Sequence, residues 1–267
     1  MPFIELHAHS AFSFLEGSSL PEDLAARCAQ FDQPAMAITD AHGVYGAPRF
    51  HQAAKKLGPR ALIGAEVNAA EPYRFTLLAE NRTGYQNLCR LITRTKLRDG
   101  KPGKPEYPFA TDEEFASHAA GLVCLTGGDE GPLASVYRQG SGPDVERQAR
   151  HTLERLTLMF GRGNVFVELQ RHYRCDQEAR NQSLVQLARS LGLPLLATNG
   201  VAYASAERRN LQDVLTCVHH KTTLNEAGRL LNFNSERLDR QAGAGKTSRF
   251  PHAERDSAGT HNRGFPG

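Results

Sequence analysis

FIELHAHS, residues 3–10, joins a short apolar run to two histidines that stand two positions apart. Side chains of a strand alternate between its two faces, so His7 and His9 are expected to point to the same side. In parallel α/β folds, binding sites gather at the carboxyl ends of strands. The stretch therefore predicts a first strand that ends in half of a metal site, although such a pair also occurs on plain exposed strands.

The rest of the chain alternates between predicted strands and helices. Short apolar runs predict further strands at residues 35–40, 61–67, 75–79, 121–126, 164–169 and 195–198. Apolar residues at helical spacing predict helices at residues 21–31, 45–57, 83–97, 144–160, 177–191 and 207–218. Roughly seven buried strands that alternate with helices predict a parallel sheet. This order alone does not separate a closed barrel from an open doubly wound sheet.

Acidic residues recur where the predicted strands end. Asp40 and Glu66 each close an apolar run, Glu16 lies in the loop after the first strand, and Glu168 lies within a later strand. In a parallel barrel these carboxylates would converge on one rim with the two histidines, a set that suits zinc, manganese or iron. The alternatives are a helix cap or turn role for Asp40 and a salt bridge for Glu66.

Composition limits the classes of protein that fit. The chain has 267 residues, a net charge of +3 and five cysteines. This length suits one large α/β domain or two small ones, and the charge is too weak to indicate nucleic-acid binding by itself. The cysteines form no paired motif, which favours reduced thiols. Without a membrane-length apolar run or a secretory signal, the sequence predicts a cytoplasmic protein with no membrane partner.

Two segments differ from the rest in composition. Residues 98–108 contain Lys101, Lys104 and three prolines, which predicts a mobile basic loop. Residues 239–267 contain no Leu, Ile, Val or Met. Such a segment buries too little apolar surface to offset the entropy lost on ordering, so we expect a disordered tail.

Several motifs resemble the polymerase and histidinol phosphatase (PHP) domain. They are HAHS at 7–10, FSFLEG at 12–17, ITD at 38–40 followed by Gly46, and GAEV at 64–67. LLAEN at 77–81, GYQNL at 84–88 and ELQRH at 168–172 resemble the PHP domain fused to bacterial DNA polymerase III alpha subunits. DVLTC at 213–217, with KTT at 221–223 and EAGR at 226–229, resembles the error-prone branch of those subunits. The resemblance covers residues 3 to 238.

The resemblance implies a distorted parallel (β/α)7 barrel whose active members hold up to three metal ions and hydrolyse phosphoesters. His7 and His9 match the first two ligands of the family, Glu16 matches an acidic ligand, and Glu66 matches the glutamate of the third motif. Asp40 also matches, but the histidine that should follow it directly is His42, one position late.

Other family ligands are missing from this sequence. The positions that should carry them hold Ala41, Arg74, Gly128, Gly200 and Ala202. Because a metal site needs its full set of ligands, the resemblance implies a degenerate centre. We expect at most one weakly held divalent ion, zinc or manganese, at His7, His9, Glu16 and Glu66. The charge of Arg74 opposes metal binding, and this side chain would instead hold a phosphate or pair with Glu66.

The resemblance therefore predicts a scaffold-like PHP domain of an error-prone DNA polymerase III alpha subunit, which acts in replication and translesion repair. Its domain and exit helix would span residues 1–238, and residues 239–267 would be a frame-shifted or non-native tail. Its partner would be a polymerase core, with DNA bound indirectly. One alternative is a free-standing phosphoesterase of the histidinol phosphatase type, which should keep an Asp/His pair at positions 200 and 202. The other is an amidohydrolase barrel, which should carry a bridging lysine or a further histidine pair.

Overall fold

The computed structural model of the chain describes residues 3–98, 108–231 and 237. The predicted tail at 239–267 and most of the predicted basic loop lie outside these residues. The strands are β1 (Ala35–Ile38), β2 (Arg60–Asn68), β3 (Arg74–Ala79), β4 (Leu122–Leu125), β5 (Val165–Gln170) and β6 (Leu195–Thr198). The helices are α1 (Pro21–Gln30), α2 (Ala47–Leu57), α3 (Arg82–Lys96), α4 (Asp112–Ser117), α5 (Pro132–Tyr137), α6 (Pro143–Phe160), α7 (Cys175–Leu191) and α8 (Arg209–His220).

The strands form one curled sheet in the order β1-β2-β3-β4-β5-β6. β1 pairs with β2, β4 with β5, and β5 with β6 in parallel, but β3 runs antiparallel to both of its neighbours. The expectation of an all-parallel sheet was therefore wrong. Only residues 69–73 separate β2 from β3. A parallel pair needs a crossover of about a dozen residues or more, so a connection this short forces an antiparallel pair.

The predicted first strand is also irregular, because it makes only isolated bridges to its neighbours. On one side of this segment, the carbonyl oxygens of Glu5 and Ala8 each accept a 2.8 Å hydrogen bond from a backbone amide within or just after β1. On the other side, His7 and His9 exchange bonds of 2.9 and 2.8 Å with Val201, just after β6. The segment thus connects both edges of the six-stranded sheet and fixes the backbone of both histidines.

The main core lies between the sheet and the helices α3, α4, α6 and α7. Phe75 of β3 is fully buried and packs against Phe115 of α4 with ring centroids 4.6 Å apart, while Phe160 of α6 closes the same cluster. A smaller cluster around Leu24, Met36, Phe50 and Val201 packs α1 and α2 on the other end of the sheet. No helix among the described residues is long and apolar enough to cross a membrane.

Gly84 provides a test of the packing of α3. A β-carbon at this position would lie 1.8 Å from the carbonyl oxygen of Gly121, which belongs to the backbone and cannot rotate away. We expect Gly84→Ala to lower the free energy of unfolding by about 1–3 kcal/mol. The overpacking should exceed the gain of about 0.5–1 kcal/mol that alanine brings to a helix. Urea denaturation measures the change.

Gly163→Ala is the matched control, because a β-carbon there would meet open space. Its free energy of unfolding should stay within about 0.5 kcal/mol of the original value. Equal stability of the two variants would show that α3 does not approach Gly121 as closely as described.

Candidate metal centre

Three of the predicted ligands meet beside the carboxyl end of β2. His7 Nε2 lies 2.9 Å from Oε1 of Glu66, and His9 Nε2 lies 3.3 Å from Oε2 of the same residue. One ligand atom from each residue can be chosen so that all three lie within 4.8 Å of one another. His7 and Glu66 are buried and His9 is partly buried. This His/His/Glu cluster could hold a metal ion.

Glu168 of β5 fixes the orientation of the His7 ring. Its Oε1 lies 2.7 Å from His7 Nδ1 and also accepts hydrogen bonds from the Thr198 hydroxyl and, at 2.9 Å, from the Gln170 amide. A carboxylate behind a histidine sets the tautomer and directs the other ring nitrogen forward. Burial alone would lower the pKa of His7, but Glu168 and Glu66 together raise it well above its ordinary value.

Arg74, the first residue of β3, reaches into the cluster. Because β3 is antiparallel to β2, its amino end lies beside the carboxyl end of β2, with Arg74 opposite Asn68. The guanidinium binds both oxygens of Glu16, at 2.5 and 2.8 Å, and contacts Glu66 Oε2 at 3.2 Å. Burial tends to raise the pKa of Glu16, but the hydrogen bonds and charge of Arg74 lower it below the ordinary value. Both oxygens of Glu16 are thus taken by an arginine.

Asp40 and His42 lie outside the cluster. The buried Asp40 carboxylate accepts hydrogen bonds from the Ser10 backbone at 2.7 Å and from the Ser13 hydroxyl at 2.8 Å, so it orders the loop after His9. His42 has a left-handed backbone with φ of 52°, and burial together with the charge of Arg74 lowers its pKa to about 4. Neither residue belongs to the group whose ligand atoms lie within 4.8 Å of one another, and a ligand role for either stays a prediction.

Gln170 fills the space beside the positions where two family ligands are missing. A β-carbon at Gly128 would lie 2.3 Å from Oε1 of Gln170, and one at Gly200 would lie 2.7 Å from its Nε2. Gly128, Gly200 and Ala202 line the same pocket of about 320 Å³ as the histidine cluster. Sequence reasoning missed Gln170. Its spacing of two from Glu168 on one strand was the available signal, since such residues share a face.

A second ionic group lies at the edge of this pocket and was not predicted. Asp129 binds Arg180 at 2.8 Å and Arg237 at 2.9 Å. Burial favours a raised pKa for Asp129, but the arginines lower it to about 2. These residues come from distant parts of the chain, so no local pattern indicates the contact.

Comparisons with known proteins show which family the chain belongs to. Residues 5–172 match the family described as PHP domain. The chain is 38% identical over 248 residues to an error-prone DNA polymerase of Anaeromyxobacter sp. (strain K), covering 88% of this chain and 20% of that protein. It is 32% identical over 266 residues to the DNA polymerase III subunit alpha of Treponema pallidum, covering 94% of this chain and 22% of that protein. The chain therefore spans about a fifth of the length of these relatives.

A solved structure supports the fold alone. A protein from Bifidobacterium adolescentis, assigned as a metal-dependent phosphoesterase, superimposes with a TM-score of 0.50 at 14% identity. The superposition covers 75% of this chain and 88% of that one. The family match extends from the histidine pair through β5 and includes every residue of the cluster. The chain belongs to the PHP domain family.

Proposed function

We propose that this chain is the PHP module of an error-prone DNA polymerase of the alpha-subunit kind, and that it serves as a structural support in replication and translesion repair. The observation that carries the proposal is the position of Arg74, which pairs with both Glu16 and Glu66. Its guanidinium supplies positive charge to carboxylates that the family resemblance assigns to a metal. The site is then stable as an ionic network of the protein itself.

Charge balance supports this interpretation. Glu16, Glu66 and Glu168 place three carboxylates around the pocket, and Glu66 and Glu168 are fully enclosed. A buried carboxylate is stable only when paired and hydrogen bonded. Arg74 meets this requirement for Glu16 and partly for Glu66. An arginine stays charged at any ordinary pH, so this compensation does not depend on a metal supply.

Among the residues that the structure describes, the donor set fits one ion. His7, His9 and Glu66 would hold it, and Glu168 would orient His7 from behind. Such an ion would polarise a phosphoryl oxygen or activate a water molecule. Two-metal phosphate chemistry needs further ligands, and the pocket presents Gly128, Gly200 and Ala202 where the family pattern places them. Arg74 would also repel an ion next to Glu66.

The same cluster supports a second candidate, a free-standing phosphoesterase that works with a single ion. The pocket also carries positive or protonatable groups at its edge, including Arg237, His219 and His220, which suit an anionic substrate. The scaffold proposal is favoured because Arg74 occupies Glu16 and because Gln170 fills the space beside Gly128 and Gly200.

α8, the last described α-helix, suggests how a structural support of this kind would contact a polymerase core. α8 exposes Leu211, Val214 and Val218, which share one face at helical spacing, with 41%, 43% and 57% of their surfaces accessible. An exposed apolar face of this kind is typical of a docking surface. We propose that it packs against the polymerase core of a longer protein in the cytoplasm, and that DNA is engaged by that core.

Replacing Arg74 tests the metal proposal. The unaltered chain should take up at most one zinc or manganese ion, and weakly. Arg74→His removes the repelling charge and adds an imidazole, so its affinity for zinc should rise roughly thirtyfold, since one added ligand and one lost charge each contribute about 1 kcal/mol. Calorimetric titration with zinc, together with elemental analysis of the purified chain, measures both quantities.

Arg155→His is the control. Arg155 is likewise held by two carboxylates, Glu71 at 3.3 Å and Asp112 at 3.2 Å, but within the described ranges it does not belong to a metal-ligand cluster. Its substitution should leave zinc affinity unchanged. Two or more tightly bound ions in the unaltered chain would contradict the proposal.

The isolated chain should not hydrolyse phosphoesters at a useful rate. Hydrolysis needs a metal-activated water and a clamp on the phosphate, and the ligand set for two ions is incomplete. An assay with a chromogenic phosphodiester across zinc and manganese concentrations measures the activity. Turnover that disappears in a His9→Ala variant would instead establish the phosphoesterase candidate.

A further inference from the structure

Helix α3 carries a row of arginines without matching acidic residues. Arg82, Arg90 and Arg94 are spaced in multiples of four along the helix, with Gln86 between the first two, and Arg98 continues the spacing just beyond its end. All five positions are exposed. No Asp or Glu occurs anywhere in α3. Residues four apart on a helix are neighbours, so the like charges of Arg90 and Arg94 repel one another.

The neighbouring helix α4 neutralises only one end of this row. Glu114 lies 2.7 Å from Arg94 and 2.7 Å from Arg98. Burial would raise the pKa of Glu114, but its capping bond to Thr111 and the two arginines lower it to about 2, so it is fully charged. One carboxylate thus serves two guanidinium groups, and Arg94 still exposes 64% of its side chain.

The other end of the row makes no ion pair within the part of the chain that the structure describes, although Glu80 lies two positions before Arg82. Arg82 and Arg90 are exposed and make no ion pair there. Between α3 and α4 runs an open groove of about 590 Å³, lined by Arg90, Arg94 and Arg98 together with His118. The groove is lined by four groups that are cationic or can become so and by one carboxylate. Its excess of positive charge is local, because the whole chain carries only +3.

The spacing of the row identifies the kind of ligand. Four helical residues rise by about 6 Å, so Arg82 to Arg94 spans roughly 18 Å. A DNA strand carries one phosphate for about every 3.4 Å of its axis, so the step from Arg90 to Arg94 covers about two phosphates and the step from Arg82 to Arg90 about three to four. Guanidinium groups bind phosphate oxygens through paired hydrogen bonds. We propose that the α3 row, Arg82, Arg90, Arg94 and Arg98, binds the sugar-phosphate backbone of DNA.

This inference goes beyond the support role proposed above and rests on different residues. The row lies on a helix outside the sheet, and none of its arginines lines the pocket of the histidine cluster. The contact would be independent of base sequence, because it reads only phosphates. The module would then contact DNA directly, in addition to any contact that a polymerase core makes.

The test is DNA binding by the full chain with Arg82 and Arg90 both changed to glutamine. The probes are a fluorescently labelled 20-nucleotide single strand and the matching duplex, followed by anisotropy from 50 to 200 mM salt. Four phosphate contacts predict that duplex affinity falls roughly 150-fold over this range, and two contacts predict a fall of about 12-fold. The double variant should therefore bind more weakly at low salt and show the shallower salt dependence.

The control is Lys56→Gln with Arg189→Gln. Both residues are exposed, Lys56 on α2 and Arg189 on α7. Their substitution changes the net charge by the same amount as the Arg82/Arg90 variant. The control should bind both probes as the unaltered chain does. Arg90→Gln alone should give an intermediate salt slope, which keeps the test decisive if the double variant folds poorly.

Three results would overturn the proposal. The first is unchanged affinity and salt slope in the Arg82/Arg90 variant. The second is an equal loss in the control, which would mean that net charge alone attracts DNA. The third is displacement of the labelled DNA by polyglutamate as effectively as by unlabelled DNA at the same concentration of negative charge. This result would indicate an acidic protein as the ligand.

Discussion

The buried carboxylate of Glu66 is the constraint on which the rest of the site depends. It lies in the interior at the carboxyl end of β2, where an unpaired negative charge would be strongly unfavourable. His7 and His9 approach it from the first segment, and Arg74 approaches it from β3. The charge interactions with both histidines lower the pKa of Glu66 well below its ordinary value, against the effect of burial. The segments that surround Glu66 are therefore tied together by the need to balance one charge.

The topology of the sheet explains how these groups reach Glu66. The first segment lies between the two edges of the sheet and carries both histidines to the carboxyl ends of β1 and β2. The short β2–β3 connection reverses β3, and this reversal brings Arg74 to the same place. If β3 ran parallel to β2, its first residue would lie near the opposite end of the sheet, away from Glu66. The antiparallel pair is thus a departure from a regular barrel that supplies the site with its own cation.

Sequence reasoning found the parts of this arrangement that follow from local periodicity. The alternation of a strand places His7 and His9 on one side, and the end of an apolar run marks Glu66, so their meeting could be predicted. The direction of β3 was missed because strand and helix patterns do not record the hydrogen-bonding partner of a strand. The short helices α4 and α5 were missed because each has six residues, which is too few to show a helical period.

The type of a residue did not specify its role where two carboxylates occupy similar positions in the sequence. Asp40 ends an apolar run just as Glu66 ends one, yet the hydroxyl groups and backbone of residues 10–13 satisfy its carboxylate. The resemblance to a metal-binding family made both residues candidate ligands. Which of them faces the histidines depends on the loop after His9, whose path no pattern in the sequence specifies.

Arginine has two different physical roles in this chain, and the difference lies in charge balance. Arg74 is largely enclosed and paired with two carboxylates, so its charge is used within the protein and contributes to the fold. In the α3 row, Arg94 and Arg98 share Glu114, and Arg82 and Arg90 make no ion pair among the described residues, so most of the charge of the row remains available to a ligand. The proposed replacement of metal charge by Arg74 would leave this centre with little capacity to bind a phosphate. The surface of α3, where the charges are not compensated, is where an anionic partner would gain the most.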